Sequence, residues 1–161
     1  MTRIILLTGP KRSGKTTACQ RFVKKGRRAG MRMGGILSPA RYDQRGKKTG
    51  IDVLDVTTGQ RYNLASITYD IQKATVGEYQ FHPQAMRWAL ERVLVALAAP
   101  LDVVVVDEIG PLELEHEGGF APALGRLPTS CAQVVILIVR RSLAPRVRNR
   151  AGTLRPLTIR L

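Results

Sequence analysis

Long hydrophobic runs and aromatic side chains are both scarce in this 161-residue chain. No apolar stretch approaches the roughly 20 residues that a membrane-crossing helix needs, and the N-terminus leads directly into an apolar strand without a signal-peptide cleavage pattern. We therefore expect a cytoplasmic protein with no membrane partner. Aromatic residues make up only 5% of the sequence, and no aromatic signature of an RNA-binding module is present, which disfavours specific nucleic-acid recognition.

Cysteine and histidine are too few and too scattered to suggest a metal site or a disulfide. The two cysteines, Cys19 and Cys131, are far apart, and neither belongs to a Cys-x-x-Cys pair. We expect both to be core thiols rather than metal ligands or disulfide partners. His82 and His116 are equally isolated, so neither is assigned a catalytic role.

Acidic side chains are outnumbered by basic ones, with 12 Asp and Glu against 26 Lys and Arg and a net charge of +14. The excess lies towards the two ends. Residues 1–61 carry 15 basic and 3 acidic side chains (+12), residues 62–125 carry 3 and 9 (−6), and residues 126–161 carry 8 and none (+8). Part of this charge is expected to surround a polyanionic ligand, and the rest allows weak, non-specific binding of nucleic acid.

The most specific feature of the sequence is the run Gly-Pro-Lys-Arg-Ser-Gly-Lys-Thr at positions 9–16. It matches the phosphate-binding pattern G-x-x-x-x-G-K-[ST], known as Walker A or the P-loop, and it lies between a predicted strand at 3–7 and a predicted helix at 17–28. In such a loop, backbone N–H groups and the positive end of the helix dipole face the β- and γ-phosphates of a nucleoside triphosphate. We predict that Lys15 is a catalytic residue that contacts the β- and γ-phosphates. We also predict that the Thr16 hydroxyl binds Mg²⁺. The predicted nucleotide-binding residues are Gly9, Pro10, Lys11, Arg12, Ser13, Gly14, Lys15, Thr16 and Thr17.

The second part of the predicted site follows four consecutive valines at 103–106, a run typical of a parallel strand buried on both faces. Asp107 and Glu108 come directly after it, and ligands of open α/β sheets bind at this end of the strands. We predict that Asp107 is the Walker B acid, which holds Mg²⁺ directly or through water. Glu108 is placed to orient an attacking water towards the γ-phosphorus, which indicates a catalytic role in hydrolysis.

Strand and helix patterns alternate along the chain and predict an α/β fold, with a mostly parallel sheet flanked by helices. Further strands are predicted at 31–38, 134–139 and 157–161, and a helix from Pro83 to residue 98. Turn signals at 43–46 and 57–60 set off two short strands, which we predict to form an antiparallel β-hairpin insertion at 50–65. No linker or repeat divides the sequence, so we expect a single P-loop domain spanning residues 1–161.

Several motifs in the same chain order resemble the THEP-type nucleoside-triphosphatases, a small family of P-loop proteins. The motifs are Gly-Pro-Lys-Arg-Ser-Gly-Lys-Thr-Thr at 9–17, Gly-Gly-Ile-Leu-Ser-Pro at 34–39, Lys-Thr-Gly-Ile-Asp at 48–52, Val-Gly-Glu-Tyr at 76–79, Val-Asp-Glu-Ile-Gly-Pro-Leu-Glu-Leu at 106–114 and Val-Arg-Arg at 139–141. They span nearly the whole chain. The Asp-Glu-Ile-Gly run followed by Leu-Glu-Leu is more specific than the P-loop alone.

The resemblance implies a RecA-like P-loop fold and Mg²⁺-dependent hydrolysis of ATP, GTP and other nucleoside triphosphates to NDP and phosphate. In this class of fold, the strand after Walker B inserts between the Walker B strand and the P-loop strand. That position implies a catalytic role for Arg140 and Arg141 beside the γ-phosphate, as an arginine finger supplied by the same chain. Arg146 or Arg148 would be the alternatives.

Two other functions remain open at this point. A nucleoside or nucleotide kinase fits the chain length and the P-loop, but it needs an acceptor pocket and a basic lid, and the hairpin around residues 45–48 could be mistaken for such a lid. A nucleic-acid-dependent ATPase rests on the positive charge alone. Phosphate release in the absence of any acceptor would separate a hydrolase from a kinase.

Overall fold

The computed structural model of the chain describes residues 1–68, 72–73, 77–110, 118–151 and 155–161. For Glu108, Arg150 and Ala151 it describes the backbone alone. Three features of the sequence lie outside the described residues: Val76 of the Val-Gly-Glu-Tyr motif, the Pro-Leu-Glu-Leu stretch at 111–114, and His116.

The strands of the described residues belong to one sheet. In chain order they are β1 Arg3–Gly9, β2 Met33–Leu37, β3 Ala40–Tyr42, β4 Lys48–Asp55, β5 Arg61–Ile67, β6 Tyr79–Phe81, β7 Val103–Ile109, β8 Val134–Arg140 and β9 Leu157–Arg160. Their order across the sheet is β6-β5-β4-β2-β7-β8-β1-β9, with β3 paired to β4. From β2 to β9 all neighbours run parallel, and β8 lies between β7 and β1, as the family resemblance implied.

Helices cover both faces of the sheet. They are α1 Lys15–Arg28, α2 Pro83–Ala98, α3 Ala121–Arg126 and α4 Ala144–Ala151, with short 3-10 helices at Leu127–Thr129 and Arg141–Leu143. Because successive side chains of a strand point to opposite faces, β7 contributes to two separate cores. Val104 and Val106 pack with residues of α2, α3 and α4, whereas Val103 and Val105 pack with Cys19 and Val23 of α1. The predicted α/β class with a mostly parallel sheet is confirmed.

The antiparallel part of the sheet is larger than the sequence predicted. The hairpin of β4 and β5 is confirmed, with Gly50 opposite Ser66 and Val53 opposite Tyr62. Strands β3 and β6 extend it on either side. The whole antiparallel unit joins the parallel strands where Ile36 of β2 pairs with Asp55 of β4. The insertion therefore lies beside the carboxyl end of β2.

Gly35 is required where β2 lies closest to β7. Its φ is +94°, and a Cβ built on it would lie 2.0 Å from the carbonyl oxygen of Val105. We predict that Gly35→Ala lowers the free energy of unfolding by at least about 2 kcal/mol, because a left-handed φ alone costs roughly 1–2 kcal/mol and the backbone overlap adds to it. Chemical denaturation measures the loss.

Gly46 offers a matched control for this substitution. Its φ is also positive, at +75°, but a Cβ there would have no atom within 4 Å. Gly46→Ala therefore carries the conformational cost without the overlap, and we expect a clearly smaller loss. Equal losses in the two variants would show that the close approach of β2 to β7 is unimportant.

Candidate nucleotide-binding site

The P-loop connects the end of β1 at Gly9 to the first residue of α1, Lys15. Two of its residues adopt left-handed backbone conformations, Arg12 with φ +65° and Gly14 with φ +83°. Gly9 has little space for a side chain, because a Cβ there would displace the Ser13 hydroxyl, 2.5 Å away, and would lie 3.0 Å from the Leu161 carbonyl oxygen. Such turns direct successive backbone N–H groups into the concave side of the loop, which is the geometry of an anion-binding nest.

The first turn of α1 faces the same concavity. Gly14 is the N-cap residue, and none of the described side chains caps the helix. The first-turn N–H groups are therefore available to a ligand, and the helix dipole adds partial positive charge. Basic residues lie in the last turn of α1 instead, where their positive charge is attracted to the negative end of the helix dipole. This arrangement suits a phosphate chain.

The Lys15 side chain folds back over the loop that precedes it. Its Nζ lies 3.2 Å from the Gly9 carbonyl oxygen, 2.6 Å from the Pro10 carbonyl oxygen and 3.4 Å from Ser13 Oγ. An ammonium group has three donors and no acceptor, so the contacts hold a positive charge above the loop. An anion bound in the loop would meet that charge directly.

A cavity of about 470 Å³ opens above the P-loop. Its walls are loop residues 11–17, the connection at 38–40 after β2, and the ends of β7 and β8. This volume lies within the range of small-molecule sites, roughly 300–1,000 Å³. Lysine and arginine side chains line it, and no Asp or Glu occurs among the lining residues that are described. Part of the basic excess therefore surrounds the candidate site, as expected.

The two candidate arginines at the end of β8 are placed differently. Arg140 pairs with Gly9 in the register of β1 and β8, is half-buried and lines the cavity. Arg141 is exposed in the following 3-10 helix and is not among the lining residues. Of the alternatives, Arg146 and Arg148 are exposed on α4 away from the cavity wall, and Arg148 donates a hydrogen bond to the Thr158 hydroxyl. The geometry favours Arg140.

Asp107 lies beneath the cavity rather than on its surface. Its side chain is fully buried, and its Oδ2 accepts a hydrogen bond of 2.9 Å from the backbone N–H of Ser38. Asp107 shares the strand face of Val103 and Val105, which is the face covered by α1. Glu108 follows it in β7, but its side chain is not described, so its orientation towards a water stays a prediction.

The cavity is also lined by residues for which we predicted no role from the sequence. Ser38, Tyr42 and Tyr79 line it, together with Lys48 from the start of β4. The signal that could have indicated Ser38 is its position directly after the buried Gly-Gly strand, at the same sheet edge as the P-loop. Tyr42 and Tyr79 lie on three-residue strands, too short to carry a periodic pattern.

Comparison with known proteins decides the family. A family model described as NTPase matches residues 4–159. The chain belongs to this NTPase family. Its curated relatives include the nucleoside-triphosphatase THEP1 of Methanopyrus kandleri, 31% identical over 145 residues that cover 90% of this chain and 78% of that protein. THEP1 of Thermococcus kodakarensis is 27% identical over 146 residues, covering 89% and 79%.

A solved structure supports the same fold. The solution structure of a human cancer-related nucleoside triphosphatase superposes with a TM-score of 0.73 at 24% identity, covering 99% of this chain and 89% of that one. The fold is thereby confirmed, and the family model and the THEP1 relatives confirm the resemblance to THEP-type nucleoside-triphosphatases. Among the described helices, none is both long and apolar enough to cross a membrane.

The described residues of this NTPase-family chain offer oxygen donors of the kind that Mg²⁺ takes. No group of three or more His, Cys, Asp and Glu that could hold a metal occurs among them. Thr16 lines the cavity with a hydroxyl oxygen, and Asp107 supplies a carboxylate from below. Mg²⁺ takes hard oxygen ligands, and it typically uses one or two carboxylates together with waters and substrate phosphates. The donor set is of that kind.

Cys19 connects the P-loop helix to Asp107 electrostatically. Burial, and secondarily the negative charge of Asp107, raise the pKa of the Cys19 thiol to about 12. Cys19 lies one helical turn after Thr16, on the same side of α1. Cys19 packs with Val103 and Val105, so the Thr16 side of the helix and Asp107 lie on the same face of the sheet. The expectation of a core thiol is confirmed for Cys19 but is wrong for Cys131, which is exposed in the turn before β8.

The different settings of the two cysteines predict different reactivity. At pH 8 we expect a thiol reagent to modify Cys131 quickly and Cys19 at least tenfold more slowly. The raised pKa of Cys19 suppresses its reactive thiolate form, and burial blocks access of the reagent to it. Absorbance with an aromatic disulfide reagent measures both phases. Cys131→Ser should remove the fast phase alone, and denaturant should restore equal rates. Two equally fast thiols in the folded protein would contradict this placement of Cys19.

Proposed function

We propose that this protein hydrolyses nucleoside triphosphates in the cavity above its P-loop, releasing NDP and phosphate. The observation that carries the proposal is the convergence of loop residues 11–17, Arg140 and the Walker B end of β7 around one cavity. The names of its relatives, nucleoside-triphosphatase THEP1, indicate the same activity.

Each part of the site has a proposed task in this reaction. Backbone N–H groups of the loop and the Lys15 ammonium bind the β- and γ-phosphates. Glu108 orients the attacking water and accepts its proton. Arg140 stabilises the charge that develops on the transferred phosphoryl group. We favour Arg140 over Arg141 for this task because Arg140 alone of the two lines the cavity.

Mg²⁺ is the metal that we propose for the site. When bound, it neutralises charge on the phosphate oxygens. The Thr16 hydroxyl would hold it from the cavity wall, and the Asp107 carboxylate would hold it directly or through a water. The Ser38 backbone N–H donates a hydrogen bond to Asp107 Oδ2, with 2.9 Å between the nitrogen and the oxygen. This bond holds the carboxylate in one orientation.

Phosphate release without an acceptor tests the hydrolase proposal against the kinase alternative. We expect phosphate to be released from ATP and GTP with Mg²⁺ alone, and the rate to be unchanged when nucleosides or nucleoside monophosphates are added. If phosphate appears only slowly and NDP accumulates in step with phosphorylation of an added acceptor, the protein is a kinase. EDTA provides the metal-free control.

The exposed basic residues predict weak binding to polynucleotides that does not drive hydrolysis. They lie on the outer side of α1 and in the turn before β4, at Lys24, Lys25, Arg27, Arg28, Arg45 and Lys47. With about five phosphate contacts, affinity for duplex DNA should fall more than a hundredfold between about 50 and 200 mM salt. A salt titration monitored by fluorescence anisotropy measures this fall. Many-fold stimulation of phosphate release by a polynucleotide would instead favour a nucleic-acid-dependent ATPase.

A further inference from the structure

The cavity has a second wall, which carries one lysine and belongs to neither Walker motif. Lys48 of β4, Tyr79 of β6 and Tyr42 of β3 line it. Across the sheet, β8, β7 and β2 separate the P-loop strand β1 from β4. Seen from β1, the second wall therefore lies on the same side as β8, which ends at Arg140, the residue that we propose to meet the γ-phosphate.

Lys48 is held in place on this wall. Its Nζ donates a hydrogen bond of 2.8 Å to the Tyr79 hydroxyl and stands 5.1 Å from the centre of the Tyr79 ring. Tyr79 is only 9% exposed, so it is a rigid support. None of the ion pairs among the described residues involves Lys48. An ammonium group has three N–H donors, and the one bond to Tyr79 leaves donors for a ligand.

Ser38 adds a hydroxyl between the two walls. It lines the cavity and is 4% exposed, and its Oγ has no hydrogen-bond partner among the described residues. A buried hydroxyl without a partner costs free energy, so such groups commonly serve a ligand. The Ser38 backbone N–H is already bonded to Asp107, which fixes the position of the residue.

We propose that Lys48, supported by Tyr79 and joined by the Ser38 hydroxyl, forms a second phosphate-binding subsite that faces the P-loop. The inference rests on the proposed function, because that function puts the γ-phosphate in the cavity that both walls line. A phosphate dianion fits because its oxygens accept from both an ammonium and a hydroxyl. The ligand is either inorganic phosphate released by hydrolysis or the phosphate of a monoester bound beside the triphosphate.

The test measures phosphate binding while the P-loop is filled with Mg²⁺ and a non-hydrolysable ATP analogue. Isothermal titration with inorganic phosphate, and separately with AMP, compares the wild type with Lys48→Met, which removes the charge and retains most of the chain length. Lys47→Met is the matched control, because it removes the same charge one residue away. We expect Lys48→Met to weaken binding by about tenfold or more and Lys47→Met to leave it unchanged.

The two probes separate the two sources of phosphate. Tighter binding of inorganic phosphate indicates retention of the hydrolysis product, whereas tighter binding of AMP indicates that the subsite holds a phosphate monoester beside the triphosphate. Lys48→Arg, which keeps the charge, should retain more affinity than Lys48→Met if the fold is intact. Absence of binding by both probes at millimolar concentration, or equal binding by the wild type and Lys48→Met, would overturn the subsite. Phosphate binding and its dependence on Lys48 are also measured without the ATP analogue. Failure of the analogue to bind would therefore count against the hydrolase proposal and not against the subsite.

Discussion

Lys15→Ala is expected to abolish turnover of nucleoside triphosphates and to weaken their binding roughly tenfold to a hundredfold. The Lys15 ammonium stands over the P-loop, within reach of the Gly9 and Pro10 carbonyl oxygens and Ser13 Oγ. A phosphate chain in the loop would take up the same charge, and charge-assisted contacts contribute about 1.5–3 kcal/mol each. Affinity for a fluorescent ATP analogue and the rate of phosphate release measure the two effects.

Lys24→Ala is the control for this variant. Lys24 lies on the same helix and is exposed, so its loss changes the net charge equally without touching the cavity. We expect Lys24→Ala to bind and hydrolyse as the wild type does. A folded Lys15→Ala protein with unchanged affinity and turnover would remove the P-loop from the mechanism.

Glu108→Gln is expected to lower hydrolysis by roughly 10²–10⁴ and to leave binding of Mg²⁺ and nucleotide nearly intact. This is the range for loss of a general base, because the amide keeps the size of the side chain but no longer accepts a proton from water. The backbone of Glu108 directly follows Asp107 in β7, beside the end of β8 where Ile109 pairs with Val139. Single-turnover rates at saturating nucleotide measure the chemical step separately from binding.

An exposed carboxylate on α2, Glu91, provides the matched control as Glu91→Gln, which should hydrolyse at the wild-type rate. A different result for Glu108→Gln would contradict a role for Glu108 in orienting the water. If nucleotide affinity collapses in Glu108→Gln while the remaining bound fraction turns over normally, Glu108 holds the metal or the structure. Another residue would then orient the water.

The parts of the fold that follow from local sequence were predictable. Helix α2, Pro83–Ala98, agrees with its predicted bounds because a proline at the first position and apolar residues at helical spacing define it. Strand β7 contains the predicted valine run, whose residues are buried from both faces of the sheet. The P-loop was predictable for a similar reason, since its chemistry requires particular residues at fixed positions.

The parts that depend on long-range pairing were not predictable from residue patterns. Strands β3 and β6 are three residues each, and they owe their conformation to pairing with β4 and β5. The insertion of β8 between β7 and β1 came from the family resemblance alone. The contacts that shape the cavity also join distant residues: Ser38 and Asp107 are 69 positions apart, and Lys48 and Tyr79 are 31 apart.

The separation of Arg140 from Arg141 illustrates the same limit. The two residues are adjacent and chemically identical, so the sequence assigned them one role together. The parallel register of β1 and β8 places Arg140 beside Gly9, and the chain then turns into a 3-10 helix that leaves Arg141 exposed. The distinction depends on where β8 ends, which no local pattern determines.

A crystal structure with Mg²⁺ and a non-hydrolysable ATP analogue would show whether the P-loop cavity is the nucleotide-binding site. We expect the β- and γ-phosphates to lie against the backbone N–H groups of residues 9–17, with Lys15 in contact with them. We expect Mg²⁺ between the Thr16 hydroxyl and the Asp107 side of the cavity. The γ-phosphate should point towards Arg140. Nucleotide bound elsewhere on the protein, or phosphates in the cavity with no contact to Lys15 and the P-loop backbone, would contradict this placement of the nucleotide.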